Sequence, residues 1–393
     1  HLWAETYDRE YTAENVFDIQ EEIALSVAQA LRAELAPDEQ AAVAEVPTRD
    51  LEALALYHRG RELFFDRLNP DSALAAATVL EAAVERDPGF AAAWAELAKA
   101  RSWLTGGWGM ETREVEAALA RVTELSPGSF EAEMAGGYFD YYGRHDYPAA
   151  LEHFEAATRL RPTDVDATLA RALIYRRLNR WDEAVDLFEQ AAAIDPRNTR
   201  PLELLAITLS MLRRFDAALD RFARAAAIAP GDVLLLDEYV QSAVAADDTA
   251  LAAKLVRDHR LDERPEAVNS TTALAQARRD YESGLRLAEM MPVSPMPMYR
   301  AVRLATVGYA HELAGNTETA LAYADSLESA VGALPELRLA GLREFFLGLA
   351  LVSQGRNDEA RPVLRSCLEK ADPGVNPVEL IRIATLCLSL IHI

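Results

Sequence analysis

Seven histidines, two cysteines and 63 carboxylates are the side chains that could do chemistry in this chain of 393 residues. Their spacing is the first test. No HExxH pair and no paired His/Cys set appears, so the convergent ligands that a metal or a general base requires are missing from the pattern. His145 and Asp146 fall in one turn, with His153 on the next helical run. Gly106, Gly107 and Gly109 around Trp108 come nearest to a phosphate-cradling loop. The lysine and following Ser/Thr of such a loop are absent, and the stretch reads as a long turn between helices. Acidic pairs such as Asp182/Glu183 recur at the starts of helical runs, where they complement the helix dipole and its open amides. Cys367 sits beside Leu364 and Leu368 as a core thiol, and Cys387 forms no metal or disulfide spacing with it. The expectation is no catalytic residue, no cofactor and no metal.

The elements that carry these residues repeat. Pro88, Pro127, Pro162, Pro196 and Pro230 follow one another at 39, 35, 34 and 34 residues. The last three close the near-copies ALEHFEAATRLRP, AVDLFEQAAAIDP and ALDRFARAAAIAP. Each copy follows a second helical run, so the unit is a helix pair with a period near 34 residues, the signature of an array.

Position by position, the units resemble tetratricopeptide repeats. Residues 165–198 offer Ala172 and Tyr175 on the first helix, Ala184, Phe188 and Ala191 on the second, and Pro196 at the close. Residues 199–232 offer Ala206, Leu209, Ala218, Phe222, Ala225 and Pro230, and residues 131–164 offer Tyr138, Tyr141, Ala150, Phe154, Ala157 and Pro162. Small residues let paired helices approach, aromatics fill the space between pairs, and proline stops the second helix. One pair buries too little alone, so stability must come from stacking neighbours. The pattern loosens at the WLTGGWGMETRE insertion, over about 231–292, and at MMPVSPMPM (290–298), whose three prolines require a bend. Two clearer units follow. The reading is an all-α, right-handed solenoid of about nine helix pairs over residues 47–387.

Residues 1–46 differ. HLWAETYDREY suits the end of a strand, and from Ala13 the residues Val16, Ile19, Ile23, Val27, Ala30, Leu31 and Leu35 recur at helical steps. With Leu2, Trp3, Glu5, Tyr7, Asp8 and Arg9, then Phe17, Gln20 and Glu22, this stretch resembles the end of the TolB-amino-terminal-like (FlgO-type) α/β domain of bacterial signalling proteins. Glu52, Ala53, Leu56, Tyr57, Arg59, Gly60 and Arg61 match the phrase by which that family enters its first repeat. A strand–helix remnant of an α/β domain is therefore expected before the solenoid. The terminal LSLIHI (388–393) resembles a translated sequencing adapter and is set apart from the fold. The whole reads as an internal fragment of a longer gene.

The resemblance implies a non-catalytic protein-interaction and sensory module. Its output domain would lie upstream: a nucleotide cyclase, a Ser/Thr kinase or a winged-helix domain. Two alternatives stand beside it, a repeat region that presents substrate to an enzyme such as a glycosyltransferase, and a free-standing scaffold. Placement stays open between the cytoplasm and the far side of an inner membrane. A net charge of −23 repels a phosphate backbone, which excludes nucleic acid as an expected partner. No apolar run is long enough to span a bilayer.

Repeat geometry assigns a partner-binding groove over residues 131–232. Phe139 and Tyr142 are expected in the groove with Tyr138 and Tyr141 packed inside. Asp166, Leu169, Leu173, Arg176 and Arg177 follow from the next unit, then Arg200, Glu203, Ile207 and Met211. An aromatic–Arg groove suits an extended or helical peptide carrying acidic and apolar residues. The groove contains no lysine, unlike the carboxylate clamp by which some members of the repeat family hold chaperone tails.

Overall fold

The computed structural model describes residues 47–65, 70–105, 111–291, 293, 297–332 and 342–370, with a few single positions between 15 and 26. The expected strand and helix of residues 1–46, the Trp108 turn, Cys387 and the terminal LSLIHI lie outside the described residues. What is described is helical, with no strand.

Among the described residues eighteen α-helices follow one another as nine pairs. The first unit, up to Asp164, holds α1 (Leu51–Phe65) with α2 (Pro70–Arg86), α3 (Ala91–Thr105) with α4 (Thr112–Leu125), and α5 (Phe130–Tyr138) with α6 (Tyr147–Leu160). The second unit, from Val165, begins with α7 (Val165–Arg177) and α8 (Trp181–Ile194), α9 (Thr199–Met211) and α10 (Phe215–Ile228), then α11 (Val233–Ala245) and α12 (Thr249–His259). It continues with α13 (Val268–Ala277) and α14 (Tyr281–Glu289), α15 (Pro297–Leu313) and α16 (Thr317–Gly332), then α17 (Leu342–Ser353) and α18 (Asn357–Lys370). The proline-rich segment falls between α14 and α15, and Pro297 opens α15 where a missing N–H costs nothing.

First and second helices are buried differently. On α8 the buried side chains are Ala184, Phe188 and Ala191, one stripe at helical spacing, and α10 repeats it with Ala218, Phe222 and Ala225. On α7, by contrast, eight of thirteen residues are buried, as it packs against its own partner and reaches the next first helix through Arg176 and Thr208. Small residues make the approach possible. A Cβ at Gly137 would lie 2.5 Å from the Phe154 ring, and one at Gly60 2.5 Å from Leu80. Phe154, Phe188 and Phe222 are almost wholly buried, and each is worth about 3–5 kcal/mol against alanine.

The turn inside each of the last seven pairs is made one way. His145, Asn179, Arg213, Asp247 and Arg279 take the left-handed conformation with φ between 56° and 63°, and Gly315 and Gly355 take it in the last two pairs. The next residue then bonds back across the helix end. Arg180 N–H donates to Tyr175 O, and Arg214 N–H to Leu209 O, each at 2.9 Å. In the α5–α6 pair the same bond runs from Asp146 to Asp140, one residue further. The extra residue is taken up in a π-helical turn, Phe139–Arg144.

Candidate functional site

Each unit presents its own set of first helices. In the second unit α7, α9 and α11 repeat at 34 residues, so side chains fall into rows. Asp166, Arg200 and Leu234 form one row, Leu173, Ile207 and Gln241 a second, and Arg177 and Met211 belong to a third; all of these are half-buried. The row of Leu169, Glu203 and Asp237 is buried at 6%, 3% and 6% exposure. Arg176 is also buried, and its Nη1 reaches Thr208 Oγ1 at 3.5 Å, joining α7 to α9. Ser210 and Ser242 hydroxyls meet at 2.5 Å between α9 and α11.

These placements correct part of the expected groove. Leu169, Arg176 and Glu203 are buried, and Arg176 reaches the next first helix at Thr208. Asp166, Leu173, Arg177, Arg200, Ile207 and Met211 keep an open edge. Arg200 Nη1 sits 3.2 Å from Glu203 Oε1, so the buried carboxylate holds this half-buried guanidinium.

The first unit brings a second correction. Phe139 is 1% exposed, with the Arg144 guanidinium 4.5 Å above its ring, and it is no groove residue. Because Asp140 takes the place that Tyr175 has in the next pair, Phe139 corresponds to buried Ile174 and Gly137 to Ala172. Counting back from Pro162 on an ideal helix misses the π-turn by one residue. Tyr141 is buried as expected, against Tyr147 at 5.8 Å. Tyr138 is only half-buried, edge-on to Phe154 at 5.2 Å. Tyr142 is half-buried too, parallel to Tyr138 with ring centroids 6.0 Å apart.

The polar residues around the π-turn are paired. His153 Nδ1 lies 2.7 Å from Glu133 and its Nε2 3.6 Å from Asp140, which also accepts from Arg144 at 3.0 Å. Among the described residues no three His, Cys, Asp or Glu gather as metal ligands. The first helices α1 and α3 add a set that repeat counting missed. Arg61 and Lys99 flank Glu96 at 3.8 and 3.7 Å, and the Lys99 ammonium stands over Tyr138 and Phe64. Lys99 is one of three lysines in the chain, which is the signal the sequence held. Burial pushes the Tyr57 phenol above its usual range, with the Glu96 charge adding to the shift.

Two tetratricopeptide repeat family models match residues 140–199 and 175–246. A putative adenylate cyclase 3 of Rhizobium meliloti is 37% identical over 97 residues, 25% of this chain and 16% of that protein, so the match spans well under two thirds of the relative. Among solved structures, the APC/C hetero-tetramer Cut9-Hcn1 aligns with 97% of this chain and 66% of its own at 14% identity and a TM-score of 0.54. A tetratricopeptide repeat protein from Parabacteroides merdae aligns with 66% of this chain and 98% of its own, at 18% identity and a TM-score of 0.46. No helix among the described residues is long and apolar enough to cross a membrane. With helix pairs, period, small-residue contacts and family models in agreement, residues 140–246 are tetratricopeptide repeats.

Proposed function

We propose that this chain is the non-catalytic protein-binding region of a multidomain bacterial signalling protein. Its partner is a protein segment carrying acidic and apolar residues, bound along the first helices of the second unit. The observation that carries this reading is the set of open-edged side chains on α7 and α9, Leu173, Arg177, Arg200, Ile207 and Met211, repeated at one interval on adjacent rigid helices. Preorganised aliphatic and guanidinium groups lower the ordering cost of binding and favour a carboxylate-bearing apolar strip. Nucleic acid is disfavoured by the charge of −23.

Residues 1–46 are read as the end of a TolB-like domain, and the partial likeness to a putative adenylate cyclase favours a nucleotide cyclase as the output domain. The test is fluorescence anisotropy of the whole chain with a labelled amphipathic Leu/Glu peptide. Ile207→Asp and Arg177→Ala should each weaken binding about tenfold or more, and the same chain given ATP should form no cyclic nucleotide. Equal affinity in both variants would remove the groove, and cyclic nucleotide formed by the chain alone would remove the non-catalytic reading.

A further inference from the structure

The first helices of the second unit carry their charges in a fixed order. Asp166, Arg200 and Leu234 are each the second residue of α7, α9 and α11, so an acid, a base and an aliphatic side chain succeed one another at one repeat position. All three are half-buried. Among the described residues no hydrogen bond or ion pair engages the Asp166 carboxylate. Arg200 gives Nη1 to buried Glu203 at 3.2 Å, yet its side chain stays 37% exposed, and a guanidinium has other N–H donors to share.

Two turns further along the same helices stand Leu173, Ile207 and Gln241. The first two are aliphatic. The third is tied to its own helix, with Nε2 donating to Asp237 at 2.7 Å. Charge therefore occupies one flank over α7 and α9 and apolar surface the other, and at α11 the apolar residue changes flank.

Spacing sets the shape of what fits. Two turns separate the flanks by about 10.5 Å, which matches the ~10–12 Å width of one α-helix with its side chains. Neighbouring first helices are joined by Arg176 and Thr208 at 3.5 Å and by Ser210 and Ser242 at 2.5 Å. Adjacent helix axes lie about 10 Å apart, which a partner helix covers in about seven residues, the step that returns a side chain to the same face.

Given the binding groove proposed for the second unit, we infer that its occupant is an amphipathic helix laid across α7, α9 and α11 with its charges in one order. A basic residue lies over Asp166, an acidic residue over Arg200 and an apolar residue over Leu234, each two turns after the last. A leucine-type stripe on the other flank covers Leu173 and Ile207. The N-terminal end of the partner lies over α7, where the positive end of its dipole meets the Asp166 carboxylate. A helix with the two charges exchanged sets acid on acid and base on base, the repulsion that rejects a wrong partner.

The test uses the whole chain and fluorescein-labelled, amidated helical peptides of three heptads in an Ala/Gln background, read by anisotropy. Each carries the leucine stripe on one flank. On the other flank successive heptads carry Lys, Glu, Leu in the first peptide, Glu, Lys, Leu in the second and Glu, Glu, Leu in the third. The parent should bind the first peptide about tenfold or more tightly than the second. Asp166→Arg should invert the preference between the first and the third, which a difference in peptide helicity cannot do. Circular dichroism melting of each variant separates lost binding from lost folding. Equal affinity of the parent for the first two peptides would overturn the charge order, and so would a preference unmoved by Asp166→Arg. Binding of the Leu/Glu peptide in either case leaves the groove standing without the order, whereas loss of that binding too removes the groove itself.

Discussion

Asp237 Oδ1 accepts the backbone N–H of Ser270 at 3.1 Å, so a buried carboxylate on α11 closes the N-terminus of α13 one pair later. The residue at that cap, Ala267, has no side chain able to do so. The other oxygen, Oδ2, accepts from Gln241 at 2.7 Å. Asp237→Ala should therefore destabilise the chain by about 1–3 kcal/mol, through a lost cap and buried partners left unmatched. Asp237→Asn, which keeps one acceptor oxygen, should lose less. Thermal melting of the two variants checks the order, and an unaffected alanine variant would show that the contact contributes nothing.

Phe188→Ala should cost about 3–5 kcal/mol, because a fully buried ring leaves a cavity between helix pairs. Met211→Ala, at the open edge, should cost less than about 1 kcal/mol. Urea unfolding followed by circular dichroism gives both values. Similar losses would contradict the division between core and groove.

Arg279 holds φ of 57° at the turn between α13 and α14, and its side chain is exposed. Arg279→Gly relieves that strain and should leave stability unchanged or raise it by up to about 1 kcal/mol, while Arg279→Val should lower it. Melting midpoints in the opposite order would refute the assignment of this turn.

Acid sensitivity should involve the first helix. The hydrogen bond from Arg86 holds the Asp50 carboxyl below its ordinary value of 3.8, helped by the amides of Ala53 and Glu52. A carboxyl depressed on folding contributes its full stabilisation above the unfolded value and loses it as pH falls through the lower folded one. The melting midpoint of the parent should thus fall faster below about pH 4 than that of Asp50→Asn. Parallel curves would exclude Asp50 from the acid transition.

The repeat period and the Ala184–Phe188–Ala191 stripe were legible because each follows from local geometry of an unbroken helix, and the helix break before Pro297 because proline cannot continue one. Phe139 was misplaced because the π-turn adds a residue that no proline count reveals; only the Asp146–Asp140 bond exposes it. Leu169, Glu203 and Arg176 were placed on the open face because repeat geometry fixes a direction but not how near the next first helix comes. The Arg61–Glu96–Lys99 cluster escaped notice for another reason. Its members lie on two helices 35 and 38 residues apart in units longer than the standard period.

Each helix in either unit touches partners drawn almost entirely from its own pair and the next. Nearly all native contacts therefore have low sequence separation, and each unit can assemble from any starting pair and extend outward. For such a chain the denaturant dependence of unfolding should be shallower than its length suggests, with pairs fraying from the edges before the middle gives way. Ligand held across several first helices would couple those pairs, and the steepness of unfolding would then report occupancy directly.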